Sequence, residues 1–395
     1  MTYHLQILKR KIEGVLLFPF IVLGAGLSYL KPLKEDFEIF FFFPFYHTGG
    51  VEKYNLAIAA ACKNKKAIIF FTRKSTDKTF YNDFIQTGHR LIDIAAFTDN
   101  KWLYFLNFIY RGIIMGYIHR QPKAPIVFNG QSNFGYKMAP WIRREIKQYE
   151  CIHTFSSFSF IRQPFISFYT KAFSPSHKTI DDQLDYYAKT SVPSVEAEKF
   201  SYLLTGITLP AAPAKQAEGL SRVLFVGRGS AEKRVELVAA IAKKTRDTGA
   251  PIEFVFAGEV NNFISDDLLP YCTVKGNIAN PIELNQLYAS SQVLILTSAF
   301  EGFPLVVMEA MSHGLTIIST AVGDIPAHVK EQENGFLANV SMPITELIEY
   351  FSERLLFLHA HPAELSLIGK NNYAYAQTHF SITALSEKLK PYLNL

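Results

Sequence analysis

Charged residues leave long gaps along this chain, and the first lies near its start. After Lys9, Arg10 and Lys11, residues 14–30 run for seventeen positions without a charge. A bilayer-spanning helix needs about 20 apolar residues, and Pro19 with Gly14, Gly24 and Gly26 works against a straight helix. Three readings stay open: a membrane segment, a helix lying in the membrane interface, and an apolar layer packed on the next domain. A cleaved signal peptide is disfavoured, because no small-x-small site leads out of the run. Residues 37–45 then form a continuous apolar run of strand length, which predicts a strand buried on both faces. A Gly-Gly turn at Gly49 and Gly50 follows, with a helical pattern to about Cys62.

The same signal recurs. Residues 67–71, 126–128 and 150–155 read as strands or strand ends, and residues 101–117 as an aromatic helix with basic ends (Lys101, Arg111, Arg120, Lys123). That helix suits either a core or a membrane face. Residues 210–219, rich in Pro and Ala, read as a linker. Beyond it strands and helices alternate. Strands are expected at 223–226, 252–256, 273–275, 293–296 and 316–319, with helices to about 248, from Pro281 and from Pro304, and a last helix over 381–393. Such alternation predicts a parallel sheet that binds ligand at its carboxyl ends.

Composition narrows the class. A chain of 395 residues with 49% apolar content fits two or three packed domains, and no low-complexity tract or repeat appears. Cys62, Cys151 and Cys272 are scattered without C-x-x-C spacing, so neither a disulfide framework nor a zinc site is implied and a reducing cytoplasm is the default. No metal-ligand cluster or D-x-D pair is present, and no metal or cofactor is expected. Charge is uneven: residues 1–205 hold 26 Lys and Arg against 16 Asp and Glu, whereas residues 206–395 hold 14 against 19. The basic half also carries the Phe and Tyr clusters at 37–46, 97–117 and 155–169. Without a nucleic-acid motif, that pairing favours anionic lipid over nucleic acid as a partner.

The candidate chemistry lies in two strand-turn-helix elements. In the first, Glu301 follows the 293–296 strand in the turn Gly302-Phe303-Pro304-Leu305, and Glu309 lies eight residues on, inside the helix. Free backbone N–H groups and the helix dipole make such a turn an anion site, and flanking carboxylates can accept from sugar hydroxyls. Taken singly, it also fits an ordinary connection with two solvated glutamates. In the second, the 223–226 strand runs into Gly227, Arg228 and a helix expected to be capped by Ser230, with Lys233 in its first turn. A guanidinium fork and an ammonium beside a Gly turn suit a diphosphate.

In this order and spacing, residues 220–340 resemble the retaining family-four glycosyltransferases (glycosyl transferases group 1) of the GT-B fold. The resemblance rests on these two elements, on the run from Gly314 to Pro326, and on Glu333-Asn334-Gly335-Phe336-Leu337. It implies an α/β chain with two Rossmann-like, doubly wound parallel-sheet domains facing a cleft. It also implies a nucleotide sugar, UDP- or GDP-linked, as co-substrate. By the same resemblance Arg228 and Lys233 neutralise the departing diphosphate, Glu301 meets the donor sugar, and Glu309 meets the ribose. Gly49, Gly50, Gly227, the Gly302–Leu305 amides, Asn277 and Ile278 line the donor site, and His153 lies near the reacting centre. Pro304 departs from the Gly common there; at a first helical position proline is tolerated but removes one N–H.

The resulting organisation is a basic, apolar segment at 1–36, an acceptor domain at 37–209, the linker, a donor domain at 220–375, and a helix at 376–395 returning to the first domain. The expected activity moves a sugar with retention to a glycan or lipid-linked acceptor, in envelope polysaccharide or lipopolysaccharide assembly, on the inner face of the plasma membrane. A sugar-nucleotide 2-epimerase, a soluble disaccharide synthase and a catalytically silent scaffold are the alternatives.

Overall fold

The computed structural model describes residues 2–100, 102–155, 157–213, 219–278 and 280–395. Two compact units divide the chain: Met1–Gly206 with Leu385–Leu395, and Ile207–Ala384. Each is built on a parallel sheet, so the chain is α/β. Lys101, the basic end expected for the aromatic helix, and residues 214–218 of the expected linker lie outside the described residues.

The first unit has seven strands: β1 Ile39–Phe43, β2 Ala67–Phe71, β3 Arg90–Asp93, β4 Ile126–Asn129, β5 Gln148–Cys151, β6 Lys171–Ser174 and β7 Phe200–Tyr202, ordered β3-β2-β1-β4-β5-β6-β7. All five residues of β1 are buried, as its unbroken apolar run predicts. Burying each of its four phenylalanines contributes roughly 1.5–3 kcal/mol. Phe40 and Phe42 stack on Phe70 on one face, and Phe41 meets Phe128 on the other. The C-terminal end of the chain also packs here, with Tyr392 against Tyr149 and Phe173 and Ser386 Oγ donating to the Ala61 carbonyl.

The second unit has six: β8 Arg222–Val226, β9 Glu253–Ala257, β10 Thr273–Gly276, β11 Val293–Leu296, β12 Thr316–Thr320 and β13 Gly335–Ala338, ordered β10-β9-β8-β11-β12-β13. Both sheets therefore grow outward in two directions from a first strand. That reversal leaves a crevice at the carboxyl ends, between β1 and β4 in one unit and between β8 and β11 in the other.

The N-terminal run is one helix, Tyr3–Leu30, with Pro19 inside it. This differs from the broken segment that Pro19 and the glycines suggested. Its inward residues recur at Tyr3, Ile7, Arg10, Gly14, Leu17, Ile21, Gly24 and Ser28, the alternating three- and four-residue spacing of a helix seam. Gly24 is a contact rather than a break, while a Cβ on Gly14 or Gly26 would meet nothing within 4 Å. A Cβ on Gly24 would stand 2.0 Å from the Ile109 carbonyl oxygen, and one on Gly112 would stand 2.1 Å from that of Ile21. The backbone thus lies directly on the Tyr104–His119 helix, and Arg120 fastens its end through Ser28 Oγ and the Ser28 carbonyl (2.6 and 2.7 Å). Pro19 points outward, so packing on the seam is undisturbed.

Candidate active site

In the second unit the two predicted elements meet, because β8 and β11 are neighbours. Gly227 to Ser230 leave the end of β8. Gly227 N–H donates to the Ala257 carbonyl and Gly229 N–H to that of Glu259. Gly229 is required by packing, since a Cβ there would stand 2.3 Å from the Phe263 ring. Ser230 does not cap a long helix. It precedes one 3-10 turn, Ala231–Lys233, after which Arg234 turns left-handed (φ 49°) and the helix Val235–Arg246 begins. Lys233 therefore sits ahead of the helix, not in its first turn. The Arg234 guanidinium donates to the Thr297 and Ser298 carbonyls, and Thr297 Oγ1 donates back to the Lys233 and Arg234 carbonyls (3.1 and 2.9 Å). These four bonds lock the β8 loop to the β11 loop.

That lock places Lys233 Nζ 2.5 Å from Glu301 Oε1, the oxygen that also accepts from Ser298 Oγ (2.7 Å). A half-buried ammonium and a buried carboxylate thus stand side by side at the switch point. Arg228 is not gathered into this pair. Its side chain is 86% exposed and lies 4.0 Å from Glu232. The Glu301–Gly302 backbone is buttressed by Gly323, where a Cβ would stand 2.3 Å from either carbonyl oxygen, and Asp324 N–H donates to the Gly302 carbonyl.

Pro304 is the residue before the helix Leu305–Ser312, one position earlier than expected. Phe303 turns away from the turn's amides and packs its ring on His328 (4.4 Å) and Phe380 (5.6 Å). Glu309 accepts from Tyr288 Oη at 2.9 Å. Burial, reinforced by the Glu309 carboxylate, pushes the Tyr288 phenol well above its ordinary range, so it remains a donor. Asn277 and Ile278 directly follow the end of β10, where Gly276 has φ 68° and the ladder slips register.

In the first unit, Gly49 and Gly50 follow β1 and open the helix Gly50–Ala61. The Glu52 carboxylate folds back over Gly49, where a Cβ would stand 2.1 Å from it and would displace that side chain. Glu52 is buried 3.5 Å from His47 Nε2, and burial raises its carboxyl above the usual range. The turn is tied down by Asp77, which accepts from the Thr48 and Thr79 N–H groups; the Thr79 hydroxyl first, and then these N–H groups, lower its pKa to about 2. His153, just past β5, is buried with its ring edge-on to Tyr54 at 4.8 Å. Its Nε2 has no hydrogen-bond partner among the described residues, and burial pushes its pKa down to about 3. It is therefore a neutral imidazole with one nitrogen poised for a donor or acceptor. Its backbone N–H donates to Gln131 Oε1 (3.0 Å), and Gln131 itself holds φ 66°, a strained conformation for a non-glycine residue in the β4 loop.

Sequence reasoning missed Arg234, Ser298, Glu52 and Gln131. Arg234 stood beside Lys233 but read as one more surface cation. The others carry no local pattern, since their positions depend on which strands become neighbours. Among the described residues no group of three or more His, Cys, Asp or Glu is placed to hold a metal ion.

Residues 221–375 match the family described as Glycosyl transferases group 1. Among curated proteins, the chain is 33% identical over 113 residues to sulfoquinovosyl transferase SQD2 of Arabidopsis thaliana, covering 29% of this chain and 22% of that protein. It is 29% identical over 119 residues to the uncharacterized glycosyltransferase MJ1607 of Methanocaldococcus jannaschii, 29% and 30% of the two chains. The chain thus spans less than a third of the length of these relatives. Likeness to solved structures is much broader. Anabaena Alr3699/HepE, crystallised with UDP, aligns at TM-score 0.70 and 15% identity over 90% of this chain and 99% of that one. A second structure of that protein holds UDP-glucose. The lipopolysaccharide outer core galactosyltransferase WaaB aligns at 0.63 and 16% identity, again over 90% and 99%. Residues 221–375 are therefore a match to glycosyl transferases group 1, within a chain whose α/β architecture is the GT-B fold shared with these solved structures.

Proposed function

We propose that this chain transfers a glycosyl unit from a UDP- or GDP-linked sugar, with retention, to a glycan or lipid-linked acceptor in envelope polysaccharide or lipopolysaccharide assembly. The observation that carries this reading is the Lys233–Glu301 pair at the β8/β11 switch point, with Glu301 four residues ahead of the helix Leu305–Ser312 that carries Glu309. The family match over the same residues supports it, as do the UDP and UDP-glucose complexes of a protein with the same fold.

In this reading the bond from the anomeric carbon to the diphosphate oxygen breaks, and its electron pair leaves with the phosphate. Arg228, Lys233 and the Leu305 end of the helix stabilise that charge without a metal ion. Glu301 holds sugar hydroxyls, and Glu309 holds the ribose. The acceptor oxygen forms its bond on the face the phosphate vacates and passes its proton to a phosphate oxygen, so configuration is retained and no glycosidase-type carboxylate pair is required. Neutral His153 contributes one hydrogen bond at the reacting centre. Because Lys233 rests on Glu301, donor binding must share or open that pair.

We place the enzyme in the cytoplasm, peripheral on the inner face of the plasma membrane. Support comes from the outward face of the N-terminal helix, where Leu5, Leu8, Ile12, Val15, Leu16, Phe18, Val22 and Leu23 are each more than half exposed. An apolar face of that length with Lys9 and Lys11 beside it suits an anionic bilayer surface.

A thermal-shift screen with UDP, GDP, ADP and CMP tests the donor reading. A nucleotide at 100 times its dissociation constant should add about 2.7 kcal/mol of stability. If none of the four raises the melting temperature, the nucleotide-sugar assignment fails.

A further inference from the structure

In the first unit a cavity of about 420 Å³ lies where the N-terminal helix crosses the Tyr104–His119 helix, well within the size range of small-molecule sites. Its walls are largely apolar, with Leu17, Phe108, Trp141 and Phe168 among them. Set into those walls are four cationic side chains, Arg10, Lys11, Arg111 and Lys137, against one carboxylate, Glu13. Arg111 is only 2% exposed; its Nε–H donates to the Asn107 amide oxygen (2.9 Å) and its guanidinium lies over the Phe108 ring. Arg10 Nη1 donates to the Pro164 carbonyl, with its guanidinium over Phe168. Both guanidiniums are thereby fixed in place before any ligand arrives, which lowers the cost of gathering positive charge around one. The cavity is also continuous with the exposed apolar face, since Gly14 and Leu16 of the N-terminal helix line it.

Apolar walls, a surplus of cations with two guanidiniums held in place, and an apolar face leading outward together describe an anionic amphiphile. We propose that this cavity seats the phosphate headgroup of an acidic glycerophospholipid, whose chains run out along the outward face of the N-terminal helix. The inference rests on the peripheral-membrane reading above and deepens it from a surface to a site. The lipid here is a docking ligand, separate from the sugar acceptor.

The two tryptophans separate the site from the surface. Trp141 lines the cavity, and Trp102 is 91% exposed just ahead of the Tyr104–His119 helix. In full-length Trp102→Phe protein, dihexanoyl phosphatidic acid below its micelle concentration should change Trp141 emission saturably. Inorganic phosphate and dihexanoyl phosphatidylcholine should be at least about tenfold weaker. Lys137→Glu and Lys11→Glu at the rim should each weaken the response about tenfold or more, the scale of one lost charge-assisted bond, with an unchanged melting temperature. Arg111→Met should do the same if it folds. In the Trp141→Phe protein, Trp102 emission with phosphatidylglycerol-containing vesicles reports surface docking alone. A Trp102 response without a Trp141 response would keep the membrane reading and overturn the cavity. Equal responses to phosphatidic acid and phosphatidylcholine, or to inorganic phosphate, would also overturn it. If neither tryptophan responds to any lipid, both readings fall.

Discussion

Lys233 carries two duties in this account, and they pull against each other. Its ammonium is held by the Glu301 carboxylate, and in the proposed transition state it must face a diphosphate gaining charge. Lys233→Ala should therefore cut turnover by at least about a hundredfold, the usual scale for one lost transition-state donor, and Arg228→Ala by a similar factor. Because Arg228 is exposed and pairs only loosely with Glu232, its loss should leave the melting temperature unchanged. Turnover within threefold of wild type in both variants would remove them from the mechanism. The glutamates should separate by calorimetry. Glu309→Gln weakens binding of the free nucleotide, while Glu301→Gln leaves it nearly intact and impairs transfer; the reverse pattern would exchange their roles.

His153 gives a second residue-scale test, in stability rather than rate. Its folded pKa of about 3 lies below the unfolded value of 6.5, so between those values the unfolded chain binds a proton that the folded chain refuses. The stabilisation is complete above 6.5 and is lost as pH falls towards 3, by roughly 1.4 kcal/mol per pH unit at most. Chemical denaturation of His153→Gln across this range should show a flatter acid limb than wild type. An unchanged slope would mean that the imidazole is not shielded as described.

At the scale of elements, nine of the thirteen described strands were legible because their apolar signal is local, whereas β3, β6, β7 and β13 are three or four residues long and were not expected. Five consecutive buried residues in β1 read as a two-faced strand from the sequence, and the E-x7-E spacing marked the turn before Leu305–Ser312. What stayed hidden depends on which strands become neighbours. Nothing near Lys233 states that β8 lies beside β11, so its contact with Glu301 was invisible, and the left-handed turn at Arg234 looked like the start of a helix. The N-terminal helix misled for a different reason. Gly24 and Pro19 count as breakers when judged by propensity, yet one meets another backbone and the other faces outward, so tertiary packing overrides the penalty. Gly112→Leu tests this: a side chain there must displace the Ile21 backbone. Circular dichroism should show the helix loosened and the melting temperature lowered by several degrees, whereas Gly26→Leu, where a Cβ meets nothing within 4 Å, should leave both unchanged.

Over the whole molecule, net positive charge and the exposed apolar helix lie in the first unit, and the Lys233–Glu301 pair with Glu309 in the second. That division suits an enzyme whose acceptor side meets a membrane and whose donor side meets a soluble nucleotide sugar. Full-length protein should sediment with anionic vesicles at low salt and be released as salt rises, since screening weakens the basic contribution. Protein remaining in the supernatant at low salt would leave the outward apolar face without a bilayer partner. The central claim is donor chemistry, and nucleotide release tests it most directly. Purified protein incubated with UDP- and GDP-sugars, without acceptor or added metal, should slowly release UDP or GDP from one of them. Lys233→Ala should abolish that release while remaining folded. Release that persists undiminished in Lys233→Ala, or no release from any donor by folded wild-type protein, would contradict the account.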